Sequence, residues 1–188
     1  MAAGAAVVAG CMGLALAGSG ALAAKSLYAA PIYGNIPNIT VRGVAAGAAP
    51  WVVKGSAVVT PGHLVVTGTS LVVPPGYMGT GAAVPKKLIG TTVGVPAVGA
   101  ELTCAQGTSI VTSTAPLTKK GAFKINASVK LPAACTDPIV LVGPVSKGKM
   151  VAWFASTDFL EYGMPGKSVI GWGGKASGKA GKHGSTWA

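Results

Sequence analysis

The chain has 188 residues, a length that fits one domain with an ordinary hydrophobic core. Its 29 glycines and 13 prolines, with few aromatic residues, favour short strands and turns over helices. Fifteen lysines and arginines against four acids give a net charge of +11, so we expect attraction to polyanions or anionic membranes.

The N-terminal 24 residues carry no charged side chain and end near Ala21-Leu22-Ala23, a small-x-small site of the kind that signal peptidase accepts. We therefore predict a secretory signal peptide at residues 1–23. A transmembrane anchor is the alternative, which the modest hydrophobicity of the alanines and glycines disfavours. A lipoprotein cleavage box at Cys11 is a second alternative, but too few apolar residues precede it.

The remaining chain reads as strands separated by turns. Residues 24–40 are punctuated by prolines and predict an extended arm. No later segment shows a 3.6-residue apolar period. Strand patterns cover residues 39–44, 51–60, 64–73, 88–95, 100–104, 109–114, 121–129, 139–142 and 151–155. This pattern predicts an all-β domain at residues 41–166, folded as an antiparallel sandwich or small barrel of about seven short strands.

The stretch LTKKGAFKI, residues 117–125, predicts a hairpin turn at residues 118–121 that runs into an amphipathic strand. Gly121 would supply the backbone freedom that the turn needs. After it, Phe123 and Ile125 alternate with Lys124 and Asn126, so we expect one buried face and one solvated face.

The final segment, residues 167–188, carries four lysines, many glycines and no acid. Its composition predicts a flexible basic tail. The tail could tether the protein to an anionic polymer or could only keep it soluble, and the residues do not decide between these two roles.

Without the leader, two cysteines remain, Cys104 and Cys135, and we expect them to form one disulfide. The chain-entropy estimate for such a bridge is roughly 3 to 4 kcal/mol. A metal pair or a reactive thiol is the alternative, but the chain has only two histidines and neither lies near a cysteine in sequence. Two N-x-S/T sequons make Asn38 and Asn126 predicted glycosylation sites in a eukaryotic host.

Several short motifs between residues 95 and 142 carry a family resemblance. They are VPAVGAELTC at 95–104, Thr118 with GAFKI at 121–125, LPAAC at 131–135 and IVLV at 139–142. These motifs resemble the pollen Ole e I/extensin-like family of secreted plant proteins, which includes phylloplanin-like members. The resemblance implies a secreted cell-wall or surface protein without catalytic residues, associated with wall polysaccharide or surface defence.

The sequence contains no convincing catalytic constellation. Hydrolysis by paired carboxylates needs two acids brought together, and Asp158 with Glu161 is the closest pair in sequence, for which we favour a structural role. No G-x-S-x-G elbow is present, and GGKASGK at 173–179 lacks the spacing of a phosphate loop. We predict no catalytic residue, metal site or cofactor, and we expect no nucleic-acid partner because no reading motif accompanies the basic charge.

These observations predict a secreted, non-enzymatic protein that binds anionic cell-wall polysaccharide through a basic β-sandwich surface. The predicted ligand-binding residues are Lys119, Lys120, Lys124, Lys130, Lys147 and Lys149. The alternative is a subunit of an extracellular filament, in which the arm at residues 25–40 adds a strand to the sheet of a neighbouring copy.

Overall fold

The structure, a computed structural model, describes residues 26–132 and 135–158. The predicted signal peptide and basic tail, and residues 159–166 of the predicted domain, lie outside these ranges. A short 3-10 helix spans Lys86–Leu88. The strands are, in chain order, β1 (Tyr28–Gly34), β2 (Thr40–Val41), β3 (Val44–Ala45), β4 (Val52–Thr60), β5 (His63–Val72), β6 (Ala97–Thr103), β7 (Ser109–Val111), β8 (Ala115–Pro116), β9 (Phe123–Ser128), β10 (Ile139–Gly143), β11 (Val145–Ser146), β12 (Lys149–Met150) and β13 (Ala155–Ser156).

Nine of these strands form one antiparallel sheet that curls into a half-barrel. Its order is β7-β6-β10-β13-β1-β4-β5-β9, and β8 also pairs with β6. Two small hairpins, β2-β3 and β11-β12, stand outside this sheet. The all-β antiparallel fold predicted from the sequence is therefore confirmed, and the strands are more numerous than expected because several are only two residues long.

Residues 28–34 of the segment predicted as an extended arm form a strand within the protein's own sheet. Strand β1 pairs with β4 through residues 28–32 and with β13 through residues 33–34. Among the described residues, Pro31 pairs only with Ser56 of β4, a position that tolerates the missing N–H of proline. Proline punctuation suggested an arm, but one-sided pairing lets the same residues form a strand.

Two predicted strands are wrong in detail. Residues 39–44 form the β2-β3 hairpin instead of one strand, because Arg42 and Gly43 both adopt positive φ, 48° and 83°, in a two-residue turn. Leu88 ends the 3-10 helix, and residues 89–95 form turns and irregular chain with Gly90 and Gly94 at positive φ. Isolated β-branched residues there do not overcome the backbone geometry of the glycines.

Residues 151–155 were predicted as a final strand, but the ladder there is displaced towards the C-terminus. It consists of β13 alone, and Trp153 before it makes a single bridge to Ala46. Ala155 and Ser156 are both buried between two neighbouring strands.

The core occupies the inside of the half-barrel, and a smaller cluster lies outside it. The inner core includes the rings of Trp51 and Phe154, which stack at 4.2 Å between centroids. The outer cluster contains Trp153 with the neighbouring residues Val41, Ile139, Leu141 and Met150. It covers the outer face of β10, so every residue of β10 is buried, as its unbroken apolar sequence predicts.

A disulfide joins Cys104 to Cys135, as predicted. It links the residue after β6 to the loop before β10, and these two strands are hydrogen-bonded neighbours. Within residues 26–132 and 135–158, no helix has the length and apolar character needed to cross a membrane.

Removing the disulfide should destabilise the protein. The bridge spans 31 residues, and a loop of that size restricts the unfolded chain by about 3 to 4 kcal/mol. We expect the Cys104→Ser/Cys135→Ser double variant to lose stability of this order in urea unfolding followed by tryptophan fluorescence. An unfolding midpoint equal to that of the parent protein would contradict this expectation.

Gly121 offers a sharper test because Gly107 is a matched control. Both have positive φ, 77° and 83°, but a Cβ at Gly121 would lie 2.3 Å from the backbone nitrogen of Leu71, whereas Gly107 faces open space. Gly107→Ala should cost about 1 kcal/mol of left-handed strain. Gly121→Ala should cost about 1 to 3 kcal/mol more, because the backbone of β5 must move. Equal unfolding free energies for the two variants would show that Gly121 is needed for φ alone.

Candidate functional site

The six lysines predicted to bind ligand are all exposed, but they belong to three separate groups. Lys119, Lys120 and Lys124 surround the start of β9. Lys130 follows the end of β9, and Lys147 and Lys149 belong to the β11-β12 hairpin. That hairpin packs over β6, where a Cβ at Gly99 would meet the Val145 side chain. Charge composition predicted lysines on the surface, but the chain path separates them.

The turn at residues 118–121 has the geometry that its sequence predicts. The amide of Gly121 donates to the Thr118 carbonyl at 2.8 Å, and the Ala122 amide donates to Thr118 Oγ1 at 2.9 Å. The Leu71 amide donates to the Gly121 carbonyl at 3.0 Å, which attaches the turn to the end of β5. However, the strands on either side, β8 and β9, pair with β6 and β5 respectively, so the turn crosses between two parts of the sheet instead of closing a hairpin.

Beside this turn lies a shallow surface depression of about 560 Å³, which we call the lysine groove. Its polar residues come from three neighbouring strands and the turn, and its remaining lining is small or apolar. The lining residues are Lys54, Gly55, Thr67, Gly68, Thr69, Pro116, Thr118, Ala122, Phe123 and Lys124.

Strand register explains why the polar residues meet. On β5, Thr67 and Thr69 are two residues apart and point to the same exposed face. Lys124 of β9 lies opposite Thr67, and Lys54 of β4 lies opposite Thr69. From strand spacing and rise, the two lysine Cα atoms are about 12 Å apart, with the threonine hydroxyls between them.

The floor of the lysine groove depends on two glycines, which have no side chains. Gly55, Gly68 and Phe123 are register partners across the three strands. A Cβ at Gly68 would lie 2.3 Å from the Phe123 ring, and the ring is buried beneath it. The glycines therefore let Phe123 close the inner side while the outer side stays shallow.

The electrostatic environment of the lysine groove is wholly basic. None of the described residues that line it is an acid. Of the three acids in the described ranges, Glu101 is buried on β6, Asp137 pairs with Arg42, and Asp158 interacts electrostatically with Asp137 and Arg42. Lys119 and Lys120 lie in the adjoining turn and add to the positive charge at one end of the lysine groove.

Sequence reasoning missed Lys54 and the threonines of β5. The signal was present in the Pro61-Gly62 turn, which pairs Thr60 with His63. Extending that register predicts Lys54 opposite Thr69, as observed. The partnership between β5 and β9 could not be found in this way, because 50 residues of loops and other strands separate them in sequence.

The two predicted glycosylation sites differ in their surroundings. Asn38 is exposed but its Nδ2 donates to the Gly79 carbonyl at 2.7 Å, so attachment of a glycan there would break an internal hydrogen bond. Asn126 is exposed on β9, two residues beyond Lys124 on the same face. A glycan on Asn126 would therefore extend next to the lysine groove.

The other concentration of ionisable groups lies around Tyr28. Burial raises the pKa of the Tyr28 phenol, a hydrogen bond with Thr157 lowers it, and the carboxylates of Asp158 and Asp137 raise it further. The second carboxylate near Asp158 is thus Asp137, while Glu161 lies outside the described residues. Across the described part of the chain, no group of three or more histidine, cysteine, aspartate or glutamate residues is arranged to hold a metal ion.

Comparison with known proteins adds no relative. No protein-family model, curated protein or solved structure matches this chain. The resemblance to the Ole e I/extensin-like family therefore stays a prediction from its motifs.

The environment of Asp158 predicts an unusual pH dependence. Burial raises the pKa of its carboxyl, the Asp137 carboxylate raises it further, and Arg42 lowers it. The folded state then binds this proton more tightly than the unfolded state, so the stabilisation is complete below the ordinary aspartate pKa and is lost as pH rises through the raised value. We expect Asp158→Asn to raise Tm at neutral pH and to flatten the Tm profile above the ordinary aspartate pKa of about 4. Parallel Tm profiles for the two proteins, measured by differential scanning calorimetry, would contradict this assignment.

Proposed function

We propose that this protein is a secreted, non-catalytic cell-wall or surface protein that binds anionic polysaccharide through the lysine groove. The observation that carries the proposal is the convergence of Lys54 and Lys124 on one acid-free face, with Lys119 and Lys120 at its end. Lys130, Lys147 and Lys149 contribute to the overall positive charge and lie away from this site.

The residue types of the lysine groove suit a carboxylated glycan. Ammonium groups pair with carboxylates as mobile point charges, which tolerates variation along a polymer. The Thr67 hydroxyl can donate to and accept from sugar hydroxyls. Thr69 Oγ1 donates to the Lys54 carbonyl at 3.3 Å and can still accept, whereas Thr118 Oγ1 accepts from the Ala122 amide at 2.9 Å and can still donate. Because the depression is shallow and crosses three strands, a polymer can enter from either side without an end having to be threaded.

Compartment and resemblance support the same proposal. A disulfide is typical of proteins in oxidising environments, and the predicted signal peptide leads there. The Ole e I-like resemblance implies a secreted cell-wall or surface protein that associates with wall polysaccharide or acts in surface defence. We infer a pectic polymer as the representative ligand, because its repeated carboxylates match the basic charge.

The filament alternative has no such support. Strand donation by residues 25–40 would require β1 to leave β4 and β13, between which it lies. We therefore propose polysaccharide binding and not filament assembly.

The proposal predicts a specific loss of binding. Lys54→Ala/Lys124→Ala should weaken binding to de-esterified pectin roughly fivefold, because two exposed ion pairs contribute about 1 kcal/mol together. Affinity electrophoresis in gels with and without the polymer would measure the change, and binding by the parent protein should fall as salt is raised.

Lys147→Ala/Lys149→Ala is the matched control, since it removes the same charge from the exposed β11-β12 hairpin, outside the lysine groove. We expect this control to bind pectin nearly as well as the parent protein. Equal losses of pectin binding in both double variants would show that the interaction depends only on net charge. Retention of the parent protein that does not respond to salt would refute the proposal.

A further inference from the structure

The outer face of β1 continues the surface that carries the lysine groove. Side chains of β1 alternate along the strand, so that Ala29, Pro31 and Tyr33 are exposed whereas Ile32 is buried in the inner core. Strand β4 pairs with β1, and β5 and β9 follow in order beyond β4. The lysine groove lies on β4, β5 and β9, so β1 adds a fourth strand to the same outer surface.

Strand register arranges the exposed residues of this surface in two rows that cross the strands. The first row consists of the register partners Pro31, Ser56, Thr67 and Lys124. The second row lies two residues further along each strand, a displacement of about 7 Å. Its members are Tyr33, Lys54 and Thr69.

Tyr33 is the neighbour of Lys54 in the second row. The last register pair between β1 and β4 is Ile32 with Gly55, and one further step of this antiparallel register places Tyr33 beside Lys54. The Cα atoms of such neighbours are about 5 Å apart. An exposed aromatic ring therefore lies next to one of the two lysines of the lysine groove.

The exposed part of the second row ends at Tyr33. The Tyr33 side chain is 39% exposed. On the other side of β1, its register partner Ser156 of β13 is 1% exposed, and the next residue of the row, Leu141 of β10, belongs to the outer cluster. Tyr33 thus lies at the boundary between the surface that carries the lysine groove and the surface that the outer cluster covers.

A ring beside an ammonium group suits an acidic sugar. The face of a phenol ring is negative because of its quadrupole, so it attracts the C–H groups on the flat side of a sugar ring. The ammonium of Lys54 can pair with the carboxylate of the same sugar. Pro31 and Ser56 have compact side chains, which keeps the surface low between Tyr33 and the lysine groove.

We propose that Tyr33 is a sugar-stacking residue that extends the lysine groove across β1. An acidic polysaccharide then runs across the strands from Lys124 to Tyr33, over three strand spacings or about 14 Å. The ligand class is a polymer that carries carboxylates on successive sugars, with one sugar stacked on Tyr33 beside Lys54. This inference rests on the polysaccharide binding proposed above and adds a contact that needs the ring of Tyr33 but not its hydroxyl.

The test is isothermal titration calorimetry with oligogalacturonate, a carboxylated sugar oligomer. Tyr33→Leu keeps an apolar side chain but removes the ring, and should weaken binding roughly threefold to tenfold. Tyr33→Phe keeps the ring and should bind as the parent protein does. The matched control is Tyr77→Leu, which removes a tyrosine that is 71% exposed in the loop after β5 and should leave binding unchanged.

Salt dependence separates stacking from charge. The fold-loss in Tyr33→Leu should persist as salt is raised, because stacking is not screened, whereas the fold-loss in Lys54→Ala/Lys124→Ala should shrink. Nuclear Overhauser contacts between the Tyr33 ring and sugar ring protons, measured on the parent protein, would support stacking directly. Their absence with the oligomer bound would overturn it, even if a Tyr33 variant failed to fold.

The two proposals fail in different ways. Salt-sensitive binding by the parent protein, together with equal affinities of Tyr33→Leu and Tyr77→Leu, would overturn the role of Tyr33 and leave polysaccharide binding in place. A parent protein that does not bind the oligomer would overturn both.

Discussion

The fold depends on the pairing of β13, a strand of two residues, with both β10 and β1. Without it the sheet separates into β7-β6-β10 on one side and β1-β4-β5-β9 on the other. Adjacent bonds strengthen this short join. The Phe154 amide donates to the Val142 carbonyl, the Asn35 amide donates to the Phe154 carbonyl, and the Val140 amide donates to Thr157 Oγ1. The stacking of the Phe154 ring on the Trp51 ring then connects this strand pairing to the inner core.

The lysine groove follows from this arrangement. Closing the two halves of the sheet brings the turn after β8 against β5, where the Leu71 amide meets the Gly121 carbonyl, and so completes the lysine groove. A second depression, of about 620 Å³ and lined largely by apolar residues, lies where β1 begins, beside Leu27 and Tyr28. One basic surface and one apolar surface therefore lie on separate parts of the same half-barrel, with different chemistry to offer.

Local patterns in the sequence predicted much of the fold but only part of the candidate site. The alternation after Gly121 placed Lys124 on the exposed face, and the unbroken apolar run at residues 139–142 predicted a buried strand. Lys54 was missed because its importance comes from β5, which brings it near Lys124 although 70 positions separate the two lysines in sequence. Residues 88–95 were predicted wrongly because glycine backbone geometry outweighed β-branched composition.

By itself, the sequence determined the antiparallel all-β class, the disulfide pair, the positive charge and the faces of the longer strands. Each of these four properties follows from residue type or from a two-residue period, and none of them requires knowledge of distant neighbours. Only the tertiary structure decided that β1 lies inside the sheet, that the six predicted lysines separate into three groups, and that Lys54 joins Lys124. Those outcomes depend on which strands become neighbours, a choice made by the packing of the whole core around Trp51, Phe154 and β13.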